Sequence, residues 1–352
     1  MRKIYDYYWR FINANEIGTS ISFNNNKVFS DIAYPTYSAQ HVKQKLNDDT
    51  LSFRAFNGCV VFKDVYIDPS SFLLFANYRT IISETQFYEW QRPSVRAFLK
   101  ETLIRRRHSI VNEGVLFDSF VGLNYFHFYN DILPNVSLIY EYQLDSLPIL
   151  IGERLFNTKW FQFFLGHSKR VGALNWRIVS GSEYIKAKKI FFLRSVPYSS
   201  KNYEFINELV GSVSLPIISK KLFVNRSPDE TRHIRNYGKL QDVLKKMGFV
   251  NLNLRDLSIR DQIAIFRKAN FIIGPHGAGL VNLIFCQSNN VKLLEIFPSD
   301  FISAHYYWLS SVLGIKHGSF CGSVLTESDA GRSFFDVDVD AFISVLEKFE
   351  KQ

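Results

Sequence analysis

The stretch ANFIIGPHGAGLVNLIFCQSNNVKLLEI, residues 269–296, decides the fold. It opens on a short apolar run, Phe271, Ile272 and Ile273, and breaks at Gly274-Pro275-His276-Gly277-Ala278-Gly279. A helix-like apolar run follows over residues 280–286. A second apolar run, residues 291–297, comes after Ser288-Asn289-Asn290. This reads as strand, small-residue turn, helix, loop, strand. Three glycines let the turn bend sharply and approach a ligand closely. The helix behind it offers unpaired N–H groups and a positive dipole end, which favours an anion. The turn fits neither G-x-G-x-x-G nor the phosphate-loop pattern ending in G-K-[ST], so both nucleotide fingerprints are absent. Many such turns only connect two elements. His276, wedged between Pro275 and Gly277, has little reason to be there for packing.

The same alternation surrounds this stretch. Residues 221–225 read as a strand, 240–247 as a helix stopped by Gly248, and 249–254 as a strand. Ser258 caps a helix running to Ala269. Downstream come a helix over 304–313, a final strand over 318–324 and a terminal helix over 339–349. Regular alternation of this kind predicts a doubly wound parallel sheet. Ligands of such sheets bind at the carboxyl ends of the strands.

The first half is less regular. A short helix is expected near residues 4–12. A β-hairpin is expected from residues 58–67 and 71–76, around Asp68-Pro69-Ser70, and a polar helix over 94–106. From Tyr125 the apolar positions Phe128, Tyr129, Ile132 and Leu133 recur at helical spacing, and Pro134 should kink or end that helix. Strands are expected over 148–151 and 188–194, and a helix over 155–166. The pattern weakens over 195–216, which marks an inter-domain connection.

The chain has 352 residues, enough for two domains. It carries 33 Phe and 18 Tyr and a net charge of +9. Basic groups cluster at Arg105-Arg106-Arg107-His108 and over 220–235. Nucleic acid, anionic lipid or a phosphorylated substrate all fit that charge, as does a solvated basic face. Three widely spaced cysteines suggest neither a disulfide framework nor a zinc site, and fit a reducing compartment. No run of about 18 apolar residues occurs, so no membrane span is expected.

Several residues carry candidate chemistry. Arg226 follows the strand 221–225 and points from its carboxyl end. Its guanidinium fork suits phosphate oxygens or a surface salt bridge. Arg232 and Arg235 follow it. Glu295 ends the strand after the glycine turn and suits ribose hydroxyls or a nearby arginine. His127 and Asp131, four apart on one helix, share a face. They form either an acid–base pair or a core histidine satisfied by its own helix. Asp336, Asp338 and Asp340 alternate in the D-x-D manner of metal-dependent transferases. Their place just before a helix favours capping instead.

Taken together, these blocks resemble glycosyltransferase family 61. GPHGAGLVNLIF at 274–285 carries the resemblance, with NYFHFYNDILP at 124–134, FVNRS at 223–227, LSIRDQIAIFRKANFIIG at 257–274 and EIFP at 295–298. It covers roughly residues 115–320. The resemblance implies a GT-B architecture, two Rossmann-like domains facing across a cleft. It also implies inverting transfer from a nucleotide sugar, commonly a UDP-sugar, to a glycan hydroxyl, with no metal or other cofactor required. Residues 1–205 would form the acceptor-side domain and 206–335 the donor-binding domain, with 336–352 crossing back to the first. Asp131 or His127 would be the base. Arg226, Gly274, His276, Gly277, Ala278, Gly279, Asn282 and Glu295 would bind the donor. Asn124 and Asn130 would lie on the acceptor side. Family members usually carry Trp or another aromatic after the histidine; here it is Phe128. Without the membrane anchor and disulfides of eukaryotic members, the expectation is a bacterial cytoplasmic enzyme of polysaccharide or lipopolysaccharide synthesis. A lipid-linked acceptor would bring its basic face to the inner membrane. The competing expectations are a polyanion or RNA binder without activity, and a metal-dependent GT-A transferase using Asp336, Asp338 and Asp340.

Overall fold

The computed structural model describes residues 10–13, 18–27, 38–52, 54–77, 80–87, 91, 109–117, 119–213, 219–324 and 334–351. Two compact units account for the chain. The first takes residues up to Asn26, Arg54–Pro197 and Glu204–Val210. The second takes Lys27–Phe53, Tyr198–Tyr203 and Gly211–Gln352. The division therefore does not follow chain order at residue 205.

The first unit is built on a mixed sheet. Its strands are β1 (Arg10–Ile12), β2 (Gly18–Lys27), β3 (Arg54–Ile67), β4 (Leu74–Asn77), β5 (Thr80–Ile82), β6 (Ser109–Val111), β7 (Gly114–Leu116), β8 (Ile149–Gly152), β9 (Trp176–Val179) and β10 (Ile185–Arg194). The main path runs β1-β5-β4-β3-β10-β7-β8-β9. Strands β10, β7, β8 and β9 are parallel, while β3 lies antiparallel between β10 and β4. Only one part of the sheet is thus wound in the Rossmann manner. Phe62, Leu116, Leu150, Ile190 and Phe192 pack its core.

The expected hairpin is β3–β4. Asp68 holds its turn, accepting at Oδ2 from the Ser70 and Ser71 hydroxyls and the Ser71 amide at 2.6–2.8 Å. Residues 10–12 form a strand on β5 and not the end of a helix. The rest of that expected helix, and the one over 94–106, lie outside the described residues. The expected helix over 155–166 divides into Glu153–Phe156 and Lys159–His167. Thr158 is the reason: its side chain accepts from the Phe161 amide and starts a new helix.

The second unit is a parallel sheet. Its strands are β11 (Lys221–Asn225), β12 (Val250–Asn253), β13 (Phe271–Pro275), β14 (Lys292–Pro298), β15 (Lys316–Val324) and β16 (Phe335–Asp336), in the order β12-β11-β13-β14-β15-β16. All neighbours are parallel except the β15–β16 pair. The order reverses between β11 and β13, so their carboxyl ends flank a topological switch point. Helices start and stop as their capping residues dictate. Ser258 caps Ile259–Lys268 through the Asp261 amide. Gly248 and Gly314, at φ 84° and 66°, take the left-handed conformation that ends Tyr237–Lys246 and His305–Val312. The terminal helix Val339–Glu350, expected to return to the first domain, instead completes the core of the second unit. Its Phe342, Leu346 and Phe349 join Phe223, Phe271 and Leu294 there.

The run behind the glycine turn winds as a 3-10 helix, Ala278–Phe285, where an α-helix was expected. Asn282 Nδ2 donates to the Gly279 carbonyl at 3.0 Å. Such local side-chain bonding competes with the i→i+4 ladder. Among the described residues no helix is long and apolar enough to cross a membrane.

Candidate functional site

At the switch point of the second unit, Arg226 leaves the end of β11 and lies across the turn after β13. A β-carbon built on Gly277 would sit 1.8 Å from Arg226 Nη1. Only glycine admits the guanidinium there. Gly274 serves closeness of another kind, since its β-carbon would meet the Val224 carbonyl at 2.9 Å. The turn is fixed from below, where the Tyr306 hydroxyl donates to the Gly277 carbonyl at 2.5 Å.

A second guanidinium joins the first. Arg232, held at φ 60°, lies over the Phe301 ring at 5.4 Å. Both side chains are half-buried, and both Nε atoms are buried without a hydrogen-bond partner among the described residues. Burial lowers the affinity of both for their protons, and in Arg232 the charge of Arg226 adds to this. Glu230 is near, 3.7 Å from Arg226, too far for a good hydrogen bond. Two under-satisfied cations beside a glycine turn have N–H groups to offer to an acceptor of negative charge.

Behind them lies a buried chain of three titratable groups. His276 Nδ1 is 2.5 Å from Glu295 Oε1, and His317 Nε2 is 2.9 Å from Glu295 Oε2. Glu295 is fully buried and both histidines nearly so. The parallel register β13–β14–β15 sets this up by placing Gly274 against Glu295 and Glu295 against Ser319, two residues beyond His317. The His276 ring stacks on Phe297, and its amide donates to the Ile296 carbonyl at 2.9 Å. Burial, then Arg232, push His276 well below its ordinary pKa. Burial pushes Glu295 well above, opposed by Arg232, and brings His317 down to about 3.

Two donor-side expectations are corrected. Glu295 does not meet a ribose, because it has no exposed surface and both its oxygens are taken by histidines. Asn282 is also fully buried and ties Gln262 to the Gly279 carbonyl, so it braces the turn. Ala278 opens the 3-10 helix beside Gly277 and Gly279. Arg235 pairs with Asp336 at 2.7 Å on the surface. Asp338 caps the terminal helix through the Ala341 amide. Among the described residues no group of three His, Cys, Asp or Glu is disposed to hold a metal ion.

The first unit holds the other candidates. Asn124 Oδ1 accepts from the amides of Phe126 and His127 and starts the helix. The chain then widens into a π turn, Phe128–Ile132, a form common at functional sites. His127 Nδ1 lies 2.8 Å from Asp131 Oδ2, and Asn130 Nδ2 donates to Asp131 Oδ1 at 3.0 Å. His127 and Asp131 keep 12% of their side-chain surface exposed, so the pair is reachable. The Phe87 ring abuts His127 edge-on at 4.9 Å. Asn124 is therefore a cap and Asn130 a brace for Asp131.

Sequence reasoning missed the part of His317 and Tyr306 and gave Arg232 less weight than Arg226. None carries a spacing signal. They come together only when β15, the helix His305–Val312 and the loop after β11 are folded.

Residues 125–293 match the glycosyltransferase 61 family. That span includes both the His127–Asp131 pair and the Arg226–Gly277 turn. The chain is also similar to a beta-1,2-xylosyltransferase from Arabidopsis thaliana, 28% identical over 132 residues. The matched part is 31% of this chain and 24% of the relative, so it spans about a quarter of that protein's length. Both comparisons support a glycosyltransferase. Glu295 and His317 lie beyond the matched family span.

Proposed function

We propose that this chain is an inverting glycosyltransferase that moves a sugar from a nucleotide diphosphate, a UDP-sugar in the first instance, to a glycan hydroxyl. The observation that carries this reading is the half-buried Arg226 guanidinium across the Gly277 turn, with the half-buried Arg232 in electrostatic reach of it, at the switch point of a parallel sheet. A diphosphate brings the two negative charges that these cations lack.

The chemistry follows in order. The acceptor hydroxyl attacks the anomeric carbon on the face opposite the diphosphate, and the carbon–oxygen bond to the diphosphate breaks. The hydroxyl proton passes to the His127–Asp131 pair, with Asn130 holding the carboxylate. Charge grows on the departing diphosphate, where Arg226 and Arg232 stabilise it. Two fixed cations supply there what a divalent ion supplies in metal-dependent transferases, so no metal is required in this reading. A GT-B arrangement of the two units would bring both reactants to attack distance. The acceptor in this reading is a cell-surface polysaccharide or a lipid-linked glycan. The enzyme would work in the cytoplasm, its basic net charge meeting the inner membrane.

Calorimetric titration with UDP and, separately, with a single-stranded RNA oligonucleotide tests the reading. Saturable UDP binding lost in Arg226→Ala and Arg232→Ala supports it. Tight RNA binding without UDP binding sinks it. Screening nucleotide sugars for hydrolysis then identifies the donor.

A further inference from the structure

We propose that Glu295 and His317 are positioning residues for His276, a clamp that aims the His276 ring at the bound diphosphate and keeps a proton on it while the diphosphate is there. This rests on the nucleotide-diphosphate reading of the site and adds to it two residues that lie outside the matched family span.

The geometry leaves His276 one free choice. Its Nδ1 is committed to Glu295, so Nε2 is the nitrogen left to meet a ligand. A neutral ring with its proton on Nδ1 presents a lone pair at Nε2, which repels a phosphate oxygen. A protonated ring presents an N–H, which binds one. The clamp decides whether that state is reachable. Glu295, once ionised, supplies the buried negative charge that an imidazolium needs, against the burial that by itself favours its protonated form. His317 holds the second oxygen of Glu295 at 2.9 Å, and its own Nδ1 is buried with no partner among the described residues. The His317 ring packs beside Tyr307 and spends its Nε2 on Glu295.

The groups facing His276 set the direction of proton movement. From the segment after β11 come Arg226, Arg232 and Glu230. From the helix His305–Val312 come His305, at 6.4 Å between ring centroids, and Tyr306, at 5.3 Å. From β14 and β15 come Glu295 and His317. The two arginines oppose a third cation, and burial adds to that. A diphosphate neutralises the arginines. The same step that fills the site therefore favours taking a proton from solvent onto the His276–Glu295 pair, and the imidazolium then donates to the diphosphate as it leaves.

The test is UDP affinity between pH 6.5 and 9 for the wild-type chain and for His276→Gln, Glu295→Gln and His317→Gln. The ratio of wild-type to His276→Gln affinity cancels the ionisation of UDP itself. That ratio should be roughly tenfold at the acid end, the worth of one hydrogen bond to a charged group. It should shrink toward unity as pH rises and the ring loses its proton. Glu295→Gln, which keeps the shape and removes the charge, should match His276→Gln, and the double variant should be no worse than either. A clamp that serves packing alone predicts a ratio independent of pH, and that result overturns the proposal. A folded Glu295→Gln variant with the wild-type pH profile overturns it as well. If Glu295→Gln does not fold, His317→Gln carries the same test through a weakened pH dependence, and an unchanged profile there counts against the clamp. Absence of UDP binding by the wild-type chain at every pH is a different failure, that of the nucleotide reading.

Discussion

Arg226 and Gly277 occupy space that a single added carbon would contest: a β-carbon at 277 would fall 1.8 Å from Arg226 Nη1. Two residues 51 positions apart in sequence thus meet at one point of the sheet edge. The glycine exists there for the arginine, and the turn it makes is shaped around a cation.

Gly277→Ala should therefore push the Arg226 guanidinium off the turn. The backbone at 277 is extended, at φ 176°, and accepts alanine without strain. The expected result is a loss of UDP affinity of about tenfold or more, with unfolding temperature changed little. Calorimetry and thermal unfolding of the same preparation read the two quantities. A large loss of stability with affinity intact would reverse the assignment.

Arg232 and Arg235 are close in sequence and opposite in setting. Arg232 is half-buried with its Nε unsatisfied, whereas Arg235 is bound to Asp336 on the surface. Arg232→Ala should cost UDP affinity by roughly tenfold or more. Arg235→Ala should leave it unchanged. Equal effects would mean that net charge, and not this site, attracts the nucleotide.

For the first unit, Asp131→Asn and His127→Ala should each slow transfer by about 10²–10⁴-fold, the usual worth of a general base. Neither should move UDP affinity by more than about twofold, because neither side chain belongs to the arginine and glycine-turn cluster of the second unit. Initial rates with a hydrolysed or transferred nucleotide sugar give the first number, and calorimetry the second. Full activity in both variants would remove the pair from the mechanism.

The acidic run before the terminal helix separates a metal site from a cap. Asp338→Ala should destabilise the fold by about 1 kcal/mol, the cost of losing an N-cap. Transfer rate per folded molecule should stay as it was, and excess EDTA should not lower it. Activity abolished by EDTA and by Asp338→Ala together would restore a metal-dependent mechanism.

His317 gives a pH signature in stability. Burial holds it neutral in the fold, down to about 3, while the unfolded chain protonates it near its ordinary 6.5. Between those values the unfolded state binds more protons, so stability rises with pH there. The contribution is complete above about pH 6.5 and is lost as pH falls toward 3. His317→Gln should flatten that limb of the unfolding-temperature profile relative to the wild-type chain. Parallel profiles would show that His317 titrates normally in the fold.

Much of the second unit was legible in the chain. Apolar runs separated by Gly248, Ser258 and the 274–279 turn specify strands and helices because each carries its own capping or turn chemistry, which is local. The same locality made the His127–Asp131 pair readable, since four residues along a helix bring two side chains together in any context. The π turn there was not readable, because no periodicity distinguishes it from an α-helix. The 3-10 winding of Ala278–Phe285 was hidden for a similar reason, since its apolar run fits an α-helix equally well.

The sequence by itself determined that a parallel sheet carries a glycine turn, an arginine and a histidine at its carboxyl edge, and that a histidine and an aspartate share a helix face. Only the tertiary structure decided what those residues do for one another. Strand order placed Arg226 on Gly277, and parallel register placed Glu295 between His276 and His317. Burial then gave Glu295 a structural partner on each oxygen in place of a ribose. Register and strand order are set by packing between segments far apart in the chain, and no local pattern records them.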